Sequence, residues 1–290
     1  MRITQGMLSN NMLRNLTSSY SKMDTLMDQV STGKKINRPS DDPVIAMKGM
    51  GYRTELKQIE QYKRNTSEVH NWMDNTDSAL DKATQTMQKL RELAVQASND
   101  TYDASERENI MNEVTQLKEH MMDIANTSVN GKYIFNGTDT ETPPVDEDGE
   151  FDPSSTSPVL IDVAGGTKLQ ANVNPEDVFG NDLFANIDSF IADLESNDQE
   201  AIEGNISSLQ GGIDNIINAR ADLGARMNRL ELVENRLSEQ EIVATQTMAE
   251  NEDVDYEKAI TELITQESLH RAALSAGSKI IQPSLIDFLR

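Results

Sequence analysis

The chain has 290 residues, of which 37% are apolar and 4% aromatic, too sparse a supply of large side chains for a large globular enzyme core. Its net charge of −23 argues against nucleic acid or an anionic membrane as partner, since both are held through clustered Lys and Arg. Cys is absent, which fits a reducing compartment and equally a chain that threads unfolded through a narrow channel.

Leu8, Met12, Leu16, Tyr20, Met23, Met27 and Val30 recur at steps of three and four, predicting one amphipathic helix over 2–30. Thr32-Gly33 supplies its stop. No apolar stretch in the first twenty residues has the character of a cleaved secretory signal, and no run reaches the eighteen or so residues of a membrane span. Residues 34–42 are polar, with Pro39 and Pro43 excluded from an ordinary helix interior. Asp42-Pro43 then predicts a helix start, with Asp as N-cap and Pro at the first helical position. Helix pattern resumes to about Lys63.

A regular seam begins at Val69 and runs through Met73, Thr76, Leu80, Ala83, Met87, Leu90, Ala94 and Ala97 in alternating steps of four and three. That is the 3.5-residue repeat of a coiled-coil-like helix. Residues 99–103 interrupt it, and Asp103 with Glu106 resembles a capping box. A second seam, Ile110, Val114, Leu117, Met121 and Ile124, is expected to close at Asn130-Gly131 and to pair with the first as an antiparallel hairpin.

Tyr133-Ile134-Phe135 with Asn136-Gly137 reads as a short strand and turn. Pro, Ser, Thr and Asp then mark a loop-rich insertion, in which 158–163 and 168–173, joined by Gly165-Gly166, predict a small β-hairpin. From Thr138 to Ala219 there are eighteen acidic residues and one basic, Lys168, so this stretch holds −17 of the charge and is expected to face solvent on most sides. Helix pattern returns at 183–194 and again through Ile206, Leu209, Ile213, Ile216, Leu223, Met227, Leu230 and Leu237. An acidic patch at 250–255 breaks it. A last amphipathic helix follows, with Tyr256, Ile260, Leu263, Leu269, Ala273, Ala276 and Ile280 on its stripe, and then Ile281, Leu285, Phe288 and Leu289.

The pattern predicts a mainly α protein. A long antiparallel helical bundle or coiled coil pairs its N- and C-terminal helices and carries a small β-containing insertion at its far end. The expected divisions are terminal helices over 1–40 and 255–290, a helical rod over 41–137 and 183–254, and an acidic outer domain over 138–182. His70, His120 and His270 are scattered outside any metal-binding frame. The acidic run 146–152 misplaces its Gly for a calcium loop and reads as solvated. Trp72 sits beside the seam and reads as packing. No cofactor, metal or catalytic residue is expected. Because each terminal stripe lies beyond a break, it must pair with the other end or with another subunit, which indicates assembly.

Several segments resemble the flagellin superfamily, and nearest its hook–filament junction members. Met1-Arg2-Ile3-Thr4 is similar to the family's opening. Ser31-Thr32-Gly33-Lys34-Lys35-Ile36-Asn37-Arg38-Pro39-Ser40-Asp41-Asp42-Pro43 resembles its signature loop, carried by Gly33, Ile36, Asn37, Asp41 and Asp42. Pro43, where flagellins usually have Ala, and Tyr133, Phe135 and Gly137 of a G-x-Y-I-F-x-G segment resemble the junction members. The 90–97 stretch resembles the shared bundle helix, and 253–255 with 281–289 its C-terminal assembly helix.

The resemblance implies an extracellular structural subunit of the bacterial flagellum that associates with copies of itself in a ring or helical tube. It implies contact with hook-associated protein 1 on the hook side and flagellin on the filament side. It also implies export through the flagellar type III channel on an uncleaved signal, and a cytoplasmic chaperone on the C-terminal helix beforehand. The two terminal stripes would be the assembly surfaces, and a flagellin-type filament subunit is the alternative reading. The insertion carries no motif of the family.

Overall fold

A computed structural model describes residues 5–99, 103–146, 151 and 154–281. Helix α1 (Gln5–Thr32) ends on Gly33, whose φ of +73° is the left-handed conformation common at helix C-termini. Helix α2 (Pro43–Ala97) opens where expected. Asp42 Oδ1 accepts the amides of Val44 at 2.9 Å and Ile45 at 3.1 Å, while Pro43 fills a position whose N–H would have no helical partner.

The α2 helix continues unbroken through 64–68, where apolar periodicity fades. Thr66 is the reason: it occupies the seam position one heptad after Ile59, is buried, and satisfies its hydroxyl on the Lys63 carbonyl at 3.0 Å. From Val69 to Ala97 all nine seam residues are buried.

Asp103 caps helix α3 (Ala104–Ala125) in a full capping box. Its carboxylate accepts the Ser105 and Glu106 amides, and the Glu106 carboxylate accepts the Asp103 amide at 3.2 Å. Ile110, Val114, Met121 and Ile124 are buried and Leu117 half-buried. The helix ends at Ala125, short of the expected stop. Asn130 and Gly131, at φ of 54° and 76°, instead form the turn between β1 (Ser128–Val129) and β2 (Lys132–Tyr133), the two-residue geometry that Asn-Gly favours. The expected strand therefore covers only Tyr133 of its three residues, and Ile134 and Phe135 lie in the following turn.

The second hairpin joins β3 (Leu160–Ala164) to β4 (Thr167–Gln170) antiparallel, with Asp162 opposite Lys168 and an irregularity between Asp162 and Ala164. A short helix α4 (Pro175–Phe179), capped by Asn174, was not foreshadowed by any periodicity. Val163, Leu169 and Phe179 are buried, and Phe179 meets Phe135 edge to face at 5.0 Å and 78°. The insertion thus has an apolar core of its own beneath its acidic exterior.

Helices α5 (Asn181–Ser196), α6 (Gln199–Glu252) and α7 (Tyr256–Ile281) complete the chain. Antiparallel pairing of α2 with α6 shows in its contacts: Ser98 with Gln199, Met87 with Gly212, and Asp77 and Asp81 with Arg220. The Arg220 guanidinium reaches both carboxylates, at 3.0 and 2.8 Å, and Asp77 above all holds its pKa above the ordinary value. Lys118 of α3 binds Asp188 of α5 at 2.6 Å, and Asn205 of α6 binds Asp193 of α5 at 2.7 Å.

Two compact units result, residues 1–58 with 240–290 and residues 59–239. Their division runs through α2 and α6, whereas the boundaries expected from sequence followed the breaks near 40 and 255. The first unit carries 13 basic and 14 acidic residues, the second 13 and 35, so −22 of the −23 resides in the second.

Candidate assembly surface and signature clasp

The terminal helices pair with each other. Antiparallel α1 and α7 meet through Met12 against Gly277, Ser19 against Gln266, and Tyr20 against His270, whose rings lie 6.0 Å apart. On α7 the seam is Ala259, Leu263, Gln266, His270, Ala273 and Gly277, a strict 3.5-residue repeat made mostly of small or polar residues. A Cβ at Gly277 would overlap the end of the Met12 side chain, so any larger residue there displaces Met12. On α1 the facing positions are Ser9, Met12, Leu16, Ser19, Met23 and Leu26.

The sequence-predicted stripe therefore divides. Met12, Leu16, Met23, Val30, Leu263 and Ala273 are half-buried, whereas Leu8, Tyr20, Met27 and Ile260 are exposed. Tyr20 and Met27 join Leu13 in a separate row at seven-residue spacing, 62, 64 and 55% exposed. Tyr256, Ile264, Leu269 and Leu274 likewise stay outside on α7. Ile280 and Ile281 lie in the last turn of α7, and Leu285, Phe288 and Leu289 lie outside the described residues.

Sequence reasoning missed Ala259, Gln266 and Gly277 because a search for large apolar residues passes over small and polar ones, and Leu26 because a step of four from Met23 reached Met27 instead. On α7 the pair encloses mostly small or polar side chains, while Leu13, Tyr20 and Met27 of α1 and Tyr256, Ile260, Ile264, Leu269 and Leu274 of α7 stay in water. A self-sufficient two-helix pair would do the reverse, since each large apolar side chain gains about 1.5–3 kcal/mol from full burial.

At one end of this pair the signature loop is clasped to the segment between α6 and α7. Lys35 N donates to the Glu252 carbonyl at 2.7 Å and Val254 N to the Gly33 carbonyl at 2.9 Å, an antiparallel bridge. Gly33 has no room for a side chain, since a Cβ would stand 2.6 Å from Tyr256 Oη. Asp41 accepts the Asn37 and Arg38 amides at 3.2 and 2.9 Å and so folds the loop, while Asp42 caps α2. Ile36 lies half-buried between them.

Glu252 is the buried acid of the clasp, bound by Arg53 at 2.6 Å and Lys34 at 3.6 Å. Lys34 also binds Asp253 at 2.5 Å, and that hydrogen bond foremost raises its pKa above 10.5. The signature residues thus hold a backbone crossing in place.

The second signature segment anchors the insertion. Phe135 packs on Phe179, and buried Asn136 donates to the Thr142 carbonyl and hydroxyl at 3.0 Å each. Gly137, at φ +55°, lies so close to the Ser155 and Ser157 carbonyls that no Cβ fits. Tyr133 N donates to the Thr140 carbonyl at 2.9 Å.

His70 contacts Asp74 within α2, and His270 belongs to the terminal seam. Among the described residues no group of three or more His, Cys, Asp or Glu converges as a metal site, and no helix is long and apolar enough to cross a membrane. Most of the acidic run 146–152 lies outside them.

Residues 3–140 match the bacterial flagellin N-terminal helical region and residues 206–289 the bacterial flagellin C-terminal helical region. The chain is 28% identical to flagellar hook-associated protein 3 of Escherichia coli K12, over 95% of this chain and 96% of that one. It is also 28% identical to flagellin of Bacillus subtilis 168, over 94% of each. The crystal structure of Bacillus cereus FlgL superposes with a TM-score of 0.61 at 25% identity, covering 69% of this chain and 99% of that one. A putative flagellar hook-associated protein from Vibrio parahaemolyticus shares the fold, with a TM-score of 0.69 at 20% identity over 73% of this chain and 100% of its own. With both helical regions matched at its two ends and hook-associated protein 3 matched over nearly its whole length, the chain belongs to the flagellin superfamily, as a structural flagellar protein akin to hook-associated protein 3.

Proposed function

We propose that this chain is the adaptor of the hook–filament junction, meeting hook-associated protein 1 on one side and flagellin on the other. Residues 1–40 and 255–290 form its inner assembly domain, 41–137 and 183–254 a helical shell, and 138–182 an outward projection. It leaves the cell through the flagellar type III system, with its C-terminal helix held beforehand by a cytoplasmic chaperone.

The observation that carries this reading is the α1–α7 pair, which leaves Leu13, Tyr20, Met27, Ile260, Ile264, Leu269 and Leu274 uncovered within one molecule. Many copies around a ring cover such faces and sum weak contacts into firm attachment. Pro43 at the head of α2 and the Phe135-Asn136-Gly137 anchor support the junction over the filament.

A filament subunit remains the second reading, because the chain matches a flagellin over equal length and identity. Purified protein incubated at high salt separates the two. The junction reading predicts persistent short oligomers or monomers, whereas long filaments by electron microscopy would establish the flagellin reading.

A further inference from the structure

Beyond the terminal pair, the first unit bears another uncovered apolar face, on the opening turns of α2. Val44, Met47 and Met50 fall within one arc of the helix and are 57, 66 and 58% exposed. Gly51 lies within the same arc with open space where a Cβ would stand, leaving a shallow seat between Val44 and Met47. Lys48 and Lys57 flank the arc on either side, and neither forms an ion pair among the described residues. One acid, Glu55, lies two turns beyond Lys48 on the same flank.

The opening of α7 offers the complement. Tyr256, Ile260 and Ile264 are spaced four apart and 50, 43 and 58% exposed, and Glu257 alongside forms no ion pair among the described residues. The two faces match in length, about 12 Å from Tyr256 to Ile264 and about 10 Å from Val44 to Gly51 at 1.5 Å per residue. One is edged by cations and the other by an acid. Both lie on the exterior of the same unit, so within one molecule neither covers the other.

We propose that the Val44–Met47–Met50 face of one copy seats the Tyr256–Ile260–Ile264 face of a second copy, with Lys48 drawn to Glu257. The joined patches differ, so the contact is heterologous and propagates from copy to copy, closing a ring when the rotation allows. This contact rests on the proposed junction reading and specifies its subunit interface.

The chain lacks Cys, so introduced thiols report without background. A Met47→Cys, Ile260→Cys double variant replaces the chain in flagellated cells, and isolated flagella are treated with a short bismaleimide. The expected result is a ladder of two, three and more linked copies, with each single variant remaining monomeric. Dimers from Met47→Cys alone, or no ladder while the chain is present in the flagella at its normal amount, overturn the interface and leave the junction reading standing. Absence of the chain from flagella that carry it in unmodified form refutes that reading and the interface with it.

A charge pair provides an independent check. Met47→Glu, placed to meet Glu257, lowers incorporation into flagella about tenfold more than Met47→Lys, with unchanged thermal unfolding of the purified chains. Equal loss for both variants removes the role given to Lys48 and Glu257.

Discussion

At the residue scale the signature loop shows what a family motif enforces physically. Gly33 suits its place for two reasons at once: its backbone is left-handed, and Tyr256 Oη occupies the space a methyl group needs. Gly33→Ala is expected to lower stability by about 1–3 kcal/mol, read as a shift in the urea midpoint. An unchanged midpoint would show that Tyr256 swings away freely.

Lys34 gives the clasp a pH dependence of defined sign. Its folded pKa lies above 10.5, chiefly through the hydrogen bond to Asp253, so its contribution is fully present below 10.5 and is lost as pH rises through the raised value. The difference in stability between the chain and Lys34→Met is therefore expected to hold steady around neutral pH and to vanish at strongly alkaline pH. A difference that grew with alkalinity would reverse the assignment. These roles were only partly legible in sequence. The motif marked Gly33, Asp41 and Asp42, but Glu252 and Arg53 lie some two hundred residues apart, and nothing local signals their meeting.

At the element scale, a sustained repeat of large side chains proved readable and a repeat of small ones did not. The 69–97 seam was visible because Val, Met, Leu and Ala fill every position but Thr76, and every member is buried. The α7 seam was legible only at Leu263 and Ala273, because Ala259, Gln266, His270 and Gly277 carry the rest of its period and the other large residues point elsewhere. Asn130-Gly131 misled in another way, since the same dipeptide that stops helices also makes the tightest hairpin turn.

The two kinds of helix face should respond oppositely to truncation. Leu80→Ala is expected to cost about 2–5 kcal/mol in denaturant unfolding, because it opens a cavity in a fully buried seam. Leu13→Ala should change monomer stability by less than about 0.5 kcal/mol while weakening incorporation into flagella. A comparable loss of monomer stability for both would mean that Leu13 is sheltered within its own molecule.

At the scale of the whole molecule the charge is partitioned. The unit containing the terminal pair is nearly neutral, and the other holds −22. Copies brought together through the neutral unit encounter like charge elsewhere, a repulsion that salt screens over about 8–10 Å at ordinary ionic strength. In the proposed assembly apolar contact drives association, while the acidic unit disfavours indiscriminate clustering.

Hydrogen exchange resolved along the isolated full-length monomer tests the dependence of the terminal pair on its neighbours most directly. The expected pattern is rapid exchange across α1 and α7, slow exchange across 69–97 of α2 and the facing part of α6, and slowed exchange of α1 and α7 once the chain is incorporated into flagella. Protection of α1 and α7 in the monomer equal to that of the 69–97 seam would contradict the account.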